Sequence, residues 1–477
     1  MTLGPGLGAD SGGGSEEFSG GSGGELPRGW GRATLGELGE WFGGGTPSKK
    51  RPEFWTDGTI PWLSPKDMGP DVLVATQDLI HESALDDSPV KLVPAGSVAL
   101  VVRSGILERK VPVTYVPFEV TLNQDMKAVV PHEGINGRWL AWAIRAQEQY
   151  ILENCRKRGT TVASLEVPWL MDTVILVPPF GEQCRIVAEL EQQTAHVEAG
   201  EAALAEANER VSNLRSSIAD AAISQHAEST WTRLQEILRE PLRNGVSAKV
   251  TTDGPGVRTL TLTAVTKNDF SPQFTKVTSA DPNRVKDLWL EDLDIFVQRS
   301  NSAELVGTSA IYRGERNWAI YPDLLIRVRV DQSRALPEYV ALALRTNRIL
   351  FYFRQNARGL SGSMPKIDQS MIENANFPLP SLPKQREAIE WVKQQEAAID
   401  PLATSASAAQ AESATLRAAL LHAAFTGALV PQDPADEPAS ALLDRIRAAR
   451  VTAKAAPRKR TPRKPRPAPP GQGELPE

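Results

Sequence analysis

VPPFGEQCRIV, Val177 to Val187, returns as LPSLPKQREAI, Leu379 to Ile389, and LRSSIADAAI, Leu214 to Ile223, returns as LRAALLHAAF, Leu416 to Phe425. In both comparisons the offset is 202 residues (379 − 177 and 416 − 214), so two helical frameworks of equal length close two otherwise dissimilar segments. A chain of 477 residues is too long for one compact core. The repeat marks where it divides.

Between the repeated strings, Gln183 to Gln225 reads as one long helix, with Leu190, Val197, Leu204, Val211 and Ile218 at seven-residue intervals. A second set, Ile186, Ala207, Leu214 and Ala221, falls three residues after the first register, which is the seam of a coiled coil. The second copy offers Val392, Ile399, Ala406 and Leu420, completed by Ala388, Leu402, Ala409, Leu416 and Ala423. The two helices are expected to pack antiparallel on each other, with alanines allowing close approach. At about 1.5 Å per residue, an unbroken run from 183 to 225 spans roughly 64 Å. Asp400 and Pro401 in the second copy, and Gly200 at the matching place in the first, predict a kink or restart with Asp400 as N-cap.

Composition excludes several classes. A hydrophobic fraction of 41% and a charged fraction of 23% are ordinary for a soluble globular chain, and no apolar run is long enough to span a bilayer. No export signal is visible, so a cytoplasmic location is expected, with no membrane partner. Cys155 and Cys184 lack metal-ligand spacing and read as reduced structural thiols. The five histidines are scattered, so no metal site is expected. The Gly-rich leader, residues 1–24, and the Lys/Arg/Pro-rich tail from about Lys454 are expected to be disordered; the tail is either a solubilising segment or a nonspecific phosphate-binding arm.

Charge is unevenly shared. Residues 182–228 hold nine acids and three arginines, 3 − 9 = −6, against a whole-chain net charge of −5. The helix is therefore a poor surface for phosphate, and any nucleic-acid contact falls to basic residues elsewhere.

The two intervening segments mix β-rich runs (SVALVVRS from Ser97, KAVVP from Lys127, TLTLTAV from Thr259, LLIRVRV from Leu324) with closing helices, RWLAWAIRAQEQYILENCRKRG and PEYVALALRTNRILFYFRQNARG. These helices end at Gly159 and Gly359 and align at an offset of 200, pairing Arg145 with Arg345 and Arg158 with Arg358. No register aligns residues 40–130 with 240–330. The class is α+β (mixed α/β), with an internal pseudo-two-fold repeat whose frame is shared and whose contents differ. A protein whose two readers differ suits an asymmetric target, since identical readers would recognise a palindrome.

The order of these parts is that of a known family. A variable segment, a proline-rich P(P/S)(L/F)xxQ junction and a long helix occur twice, and the chain closes with AAFTGALVPQDPADEPAS from Ala423 and Leu442-Leu443. Together with GGGTPS from Gly43, IPWLSPKDM from Ile60 and FVQRSNSAELVG from Phe296, this resembles the DNA-specificity (S) subunit of type I restriction-modification enzymes over about residues 30–446. The resemblance implies two globular target-recognition domains joined by two long antiparallel coiled-coil helices. On that pattern residues 25–180 form the first recognition domain, 181–228 the central helix, 229–382 the second domain, 383–430 the second helix, and 431–477 an extension ending in the basic tail. It further implies a bipartite, asymmetric site on double-stranded DNA, two methyltransferase (M) subunits carrying S-adenosylmethionine, and motor-nuclease (R) subunits using ATP and Mg. This chain itself would carry no cofactor.

Chemistry of its own finds no support in the residues. An amino-methyltransferase needs Asp or Asn before PP(F/Y/W) to accept a hydrogen bond from the adenine amine, and Val177 stands there. Pro322-Asp323 is not followed by (D/E)xK, so Asp323 reads as structural rather than as a metal ligand. GGGTPSK lacks the GK(S/T) ending of a phosphate loop and reads as a Gly-rich turn opening a DNA-facing loop. Candidates for DNA contact are Ser64, Lys66, Asp67, Arg103, Arg109 and Lys110 in the first segment, and Arg299, Asn301, Ser302, Arg313 and Arg316 in the second. Each has a solvated surface role as its alternative, and for Arg158 and Arg358 the competing role is helix C-capping. The rival for the whole chain is a non-catalytic coiled-coil scaffold that binds protein partners and no DNA.

Overall fold

The computed structural model describes residues 26–157, 159, 162–251, 256–359 and 364–455. The leader, Arg158 and the basic tail beyond residue 455 lie outside them. The chain divides into two compact units, residues 1–199 with 413–477 and residues 200–412.

The first unit begins with β1 (Gly31–Thr34), β2 (Gly39–Gly43), β3 (Ile60–Leu63), β4 (Asp78–Ile80), the short helix α1 (Ser83–Asp87), β5 (Leu92–Val93) and β6 (Ser97–Val101). It continues through β7 (Val113–Val116), β8 (Val120–Leu122), β9 (Met126–Pro131), α2 (Gly137–Ala146), α3 (Glu148–Asn154), α4 (Val167–Asp172) and β10 (Val174–Val177) into the long helix α5 (Phe180–Ser224). The second unit holds β11 (Trp231–Arg233), β12 (Arg243–Asn244), β13 (Val257–Leu260), α6 (Leu262–Lys267), β14 (Thr275–Thr278), β15 (Ile295–Gln298), β16 (Ser309–Ile311) and β17 (Leu325–Val328). Helices α7 (Pro337–Leu344), α8 (Asn347–Asn356) and α9 (Gln369–Glu373) and strand β18 (Asn376–Pro378) lead into the second long helix, α10 (Leu382–Phe425), and α11 (Ala439–Ala455) is the last described element.

The sheets reveal a repeat deeper than the sequence shows. The four-stranded sheet of the first unit has the order β2-β9-β6-β7, and that of the second β12-β17-β15-β16, with every pairing antiparallel. Val101 faces Met126 at the end of one ladder and Gln298 faces Leu325 at the end of the other. Strand β1 pairs with β10 as β11 pairs with β18. The middles that share no sequence register therefore share a scaffold, because an antiparallel sheet constrains only which positions are buried, and Val, Ala, Leu, Ile and Phe all satisfy that. The units differ in the second layer, where β4-β3-β8-β5 in one corresponds to the antiparallel pair β13-β14 in the other. TLTLTAV is half strand and half helix: β13 stops at Leu260, and the Thr261 hydroxyl donates to the Phe274 carbonyl at 2.9 Å before α6 begins. Each closing helix expected as one element is two, and in the second unit Thr346 caps the new start by accepting from the Ile349 N–H.

The proline-rich junctions work through their glutamines. Gln183 is fully buried; its carbonyl accepts from the Asn136 N–H at 2.9 Å and its amide donates to the Pro178 carbonyl at 3.0 Å. Gln385, 202 residues on, is equally buried, accepts from the Leu336 N–H at 2.8 Å and donates to the Pro380 carbonyl at 2.8 Å. Each ties the first turn of a long helix to the start of the closing helix, satisfying groups that would be costly to bury alone.

Both long helices run without a break in backbone class through Gly200 and Pro401, which corrects the expected restart. Asp400 caps nothing; its carboxylate pairs with Arg215 at 2.8 Å, and its carbonyl accepts from the Thr404 hydroxyl at 2.9 Å. The missing proline N–H removes one hydrogen bond, which the rest of the helix outlasts. The seam is right in its first stripe; in its second Ile186 and Ala388 are buried and the other alanines half-buried, but the three leucines are exposed. Leu190, Val197, Ile218, Val392 and Ile399 are buried and Leu204, Val211 and Leu420 half-buried, whereas Leu402 is 62% exposed and Leu416 and Leu214 are each 48% exposed. The partner stripe lies four residues after the first, at Glu201, Arg215, Ala222, Glu396, Ala403, Arg417 and Ala424, all buried or half-buried. Charged members pair within their own units: Arg215 with Asp400, Arg345 with Glu396 at 3.0 Å, and Arg417 with Glu198 at 3.7 Å.

At their ends the long helices enter the cores. Ile186, Val187, Leu190, Ala424 and Phe425 join the core of the first unit; Ile218, Ala222, Ile223, Ala388, Ile389 and Val392 join that of the second. Helix α11 lays Leu442 and Leu443 into the first core, and Arg447 reaches Glu37 at 3.0 Å and the Arg32 carbonyl at 3.2 Å.

Candidate nucleic-acid interface

One end of the main sheet gathers three connections in each unit. In the first, β2 runs into Gly44, whose Cβ would stand 1.8 Å from the Asn123 carbonyl, so only glycine allows the turn to close on its neighbour. The next N–H, Gly45, donates to the Leu122 carbonyl at 2.8 Å, and the Thr46 hydroxyl donates to the Gln124 side-chain carbonyl. Beside them the Val102 N–H donates to the Asp125 carbonyl at 2.9 Å, and Arg103 pairs with Asp125 at 2.5 Å. Arg103 also bridges to Ser164, to which the Lys157 backbone is bound.

The second unit repeats the turn and its backbone bonds, with Ser300 and Leu324 in place of the Arg103–Asp125 pair. Gly245 packs against the Tyr321 and Pro322 carbonyls, where a Cβ would stand 2.0 Å away. The Val246 N–H donates to the Tyr321 carbonyl at 3.1 Å, the Ser247 hydroxyl donates to the Asp323 carboxylate, and the Arg299 N–H donates to the Leu324 carbonyl at 2.8 Å. Ser300 bridges to Lys366, to which the Arg358 backbone is bound. Burial pushes the Tyr321 phenol beneath this turn up to about 12, so it stays neutral. The exposed cations around the two clusters are Lys49, Lys50, Arg103 and Lys157 in one and Lys249, Arg358 and Lys366 in the other, with Arg299 half-buried. Paired loops, close-approach glycines and exposed cations at one sheet edge suit a phosphate backbone with base edges behind it.

Residues 27–208 match the type I restriction modification DNA specificity domain. Type I restriction enzyme specificity subunits are among the proteins the chain is similar to. It is 47% identical over 159 residues to the EcoR124I/EcoR124II specificity subunit of Escherichia coli, a match covering 33% of this chain and 39% of that protein's length. To the EcoKI specificity subunit of Escherichia coli strain K12 it is 25% identical over 479 aligned positions, 92% of this chain and the whole of the relative. A solved chain from work on complex assembly and conformational transition of the type I R-M system shares the fold, with a TM-score of 0.55 at 19% identity over 85% of this chain and 99% of that one.

Within the matched residues, the structure sorts those singled out from sequence. Ser64 and Asp67 are buried and close a capping box: Asp67 accepts from the Ser64 N–H at 2.8 Å, the Ser64 hydroxyl at 2.9 Å and the Gln77 N–H at 2.8 Å. They build the turn and are not free to read DNA, a correction that the Ser-Pro-Lys-Asp spacing could itself have supplied. Lys66 lies on that turn, paired with Asp78 at 2.8 Å. Arg109 and Lys110 are exposed after the turn Gly105–Glu108, on the same connection as Arg103.

In the second unit, Arg299, Asn301 and Ser302 share the β15–β16 connection, and Asn301 is occupied there, donating to the Gln298 side chain at 2.6 Å and accepting from the Ser302 N–H at 2.8 Å. Arg313 and Arg316 follow β16, which runs antiparallel to β15, and so lie at the opposite sheet end, paired with Glu338 at 3.1 Å and Glu291 at 3.2 Å. Glu291 belongs to a network in which buried Arg327 and half-buried Arg329 hold Glu240 and Asp294. Burial raises the Asp294 carboxyl above its ordinary value despite the opposing Arg329 guanidinium. Sequence reading missed Thr46, Gln124, Lys157, Ser247 and Lys366, and assigned Asp323 a structural place only. The signal was available in Gly44 and Gly245, each followed two residues later by a hydroxyl at an offset of 201.

Among the described residues no helix is long and apolar enough to cross a membrane, and no group of three or more His, Cys, Asp or Glu is placed to hold a metal. Val177, the residue before Pro-Pro-Phe, is buried in β10 against Gly31.

Proposed function

We propose that this chain is the non-catalytic subunit that chooses the DNA sequence for a type I restriction-modification complex. One observation carries the reading: two units hold the same loop cluster on the same sheet order, with different side chains at its tips. Such a pair reads two unlike half-sites, so the target is bipartite and asymmetric. The long helices set the unread spacer between them. Methylation of an adenine falls to two M subunits that bind S-adenosylmethionine, and cleavage to R subunits using ATP and Mg. The base is taken out of the stack by the M subunit, as enzymes acting on a base must do.

Gel shift of the full chain with its M partner, at low and moderate salt, tests this. Binding that prefers particular duplexes over random DNA, with affinity falling steeply in salt, is expected. Equal binding to every duplex, or none, would leave the protein-binding scaffold instead.

A further inference from the structure

The two loop clusters coincide in hydrogen-bond register. Gly45 to Leu122 corresponds to Val246 to Tyr321, and Val102 to Asp125 corresponds to Arg299 to Leu324. These two fixed points make Gln124 and Asp323 occupants of one structural position, each receiving a hydroxyl from the equivalent turn residue, Thr46 or Ser247. Positions that build the turn carry the same chemistry in both units: glycine at 44 and 245, a hydroxyl at 46 and 247. The position they hold carries different chemistry. Within a shared frame that must read unlike half-sites, a presented position whose chemistry differs is where reading belongs.

We propose that Gln124 and Asp323 are equivalent base-reading residues, Gln124 selecting an adenine in one half-site and Asp323 a cytosine in the other. The inference rests on the DNA-recognition function proposed above. Valence supports the assignment. Gln124 is exposed; its side-chain carbonyl uses one lone pair on Thr46, and its amide spends one N–H on Asp125 at 3.4 Å. One acceptor lone pair and one N–H remain, the pair that adenine N6 and N7 require in the major groove. Asp323 accepts from Ser247 and has only acceptor sites left, which suits the N4 amine of cytosine. Thr46 and Ser247 are then positioning residues, each fixing a rotamer that solvent would otherwise randomise.

The test selects duplexes from a random pool with the full chain bound to its M partner, and sequences those retained by the wild type and by Gln124→Ala, Gln124→Glu, Asp323→Asn and Thr46→Val. The expected result is that each Gln124 variant loses about 5- to 150-fold discrimination at one base of one half-site, and Asp323→Asn does so at one base of the other. Thr46→Val is expected to relax the same base as Gln124→Ala. Both residues lie at the loop edge, and an unchanged melting profile confirms that the variants fold. Wild-type selectivity retained at every base by both Gln124→Ala and Asp323→Asn would overturn the assignment, as would a change in both half-sites from one variant. A wild-type complex that selects no site would instead overturn the recognition function on which the assignment rests.

Discussion

Gln183→Leu should loosen the first unit and leave the second intact. Leucine nearly conserves the volume but offers no polar atom, so the Asn136 N–H and the Pro178 carbonyl lose their partners in a place sealed from solvent. Leaving a buried backbone group unpaired costs about 1–3 kcal/mol each. The extra apolar burial returns roughly 1 kcal/mol, so a net loss of about 1–5 kcal/mol is expected. Asn136 also caps α2, accepting from Arg138 and Trp139 at 2.9 and 3.1 Å, so the damage should spread along that helix. The two units need not unfold together, which makes one global midpoint a poor measure. Amide hydrogen exchange resolved by residue is the appropriate assay. At about 1.4 kcal/mol per tenfold, protection around residues 136–144 and 183–190 should fall roughly 5- to 4,000-fold, with residues 234–380 unaffected. A loss below about 0.5 kcal/mol, or equal loosening of both units, would show that the junction glutamine is not what ties these elements together. Gln385→Leu should give the mirror result in the second unit.

Three further outcomes follow from packing and charge. Ile399→Ala, at 5% exposure, should cost about 2–4 kcal/mol by urea unfolding, while Leu402→Ala, at 62% exposure, should cost under about 1 kcal/mol. The reverse order would restore the seam expected from sequence. Pro401→Ala should stabilise the second unit by about 1–3 kcal/mol, since it returns a hydrogen bond and removes a ring clash on an exposed helix face; a lower melting temperature would mean that the proline's geometry is needed. For Glu37, burial pushes the carboxyl up, but the Thr34 N–H and the Arg447 guanidinium outweigh it and hold the carboxyl below its ordinary 4.5. Its contribution is thus present above pH 4.5 and lost as pH falls through the lowered value. Docking of α11, followed by exchange of residues 439–452, should weaken there in the wild type and show less pH dependence in Glu37→Gln; identical pH profiles would place the anchor elsewhere.

Much of this architecture is legible in the sequence because it depends on period and composition. Strict seven-residue spacing of Leu190 to Ile218 and of Val392 to Ile399 can satisfy only a buried helix stripe, and the 202-residue offset follows from counting. What misled was chemistry without context. Pro401 announced a break that packing overrode, and Leu402 and Leu416 looked like seam residues because they are apolar, although their azimuth turns them toward solvent. Ser64 and Asp67 looked like polar readers although their spacing lets them satisfy each other.

The sequence by itself determined that the chain repeats, that its frame is two long helices joined to mixed segments, and which family it resembles, since these are carried by local patterns along the chain. The tertiary structure alone decided that the dissimilar middles are one sheet order twice and that Gln124 and Asp323 stand at the same place. Register between strands is set by hydrogen bonds linking residues about 80 positions apart, as between Gly45 and Leu122 and between Val246 and Tyr321. Backbone groups make those bonds, so they leave almost no trace in which side chains the sequence must contain.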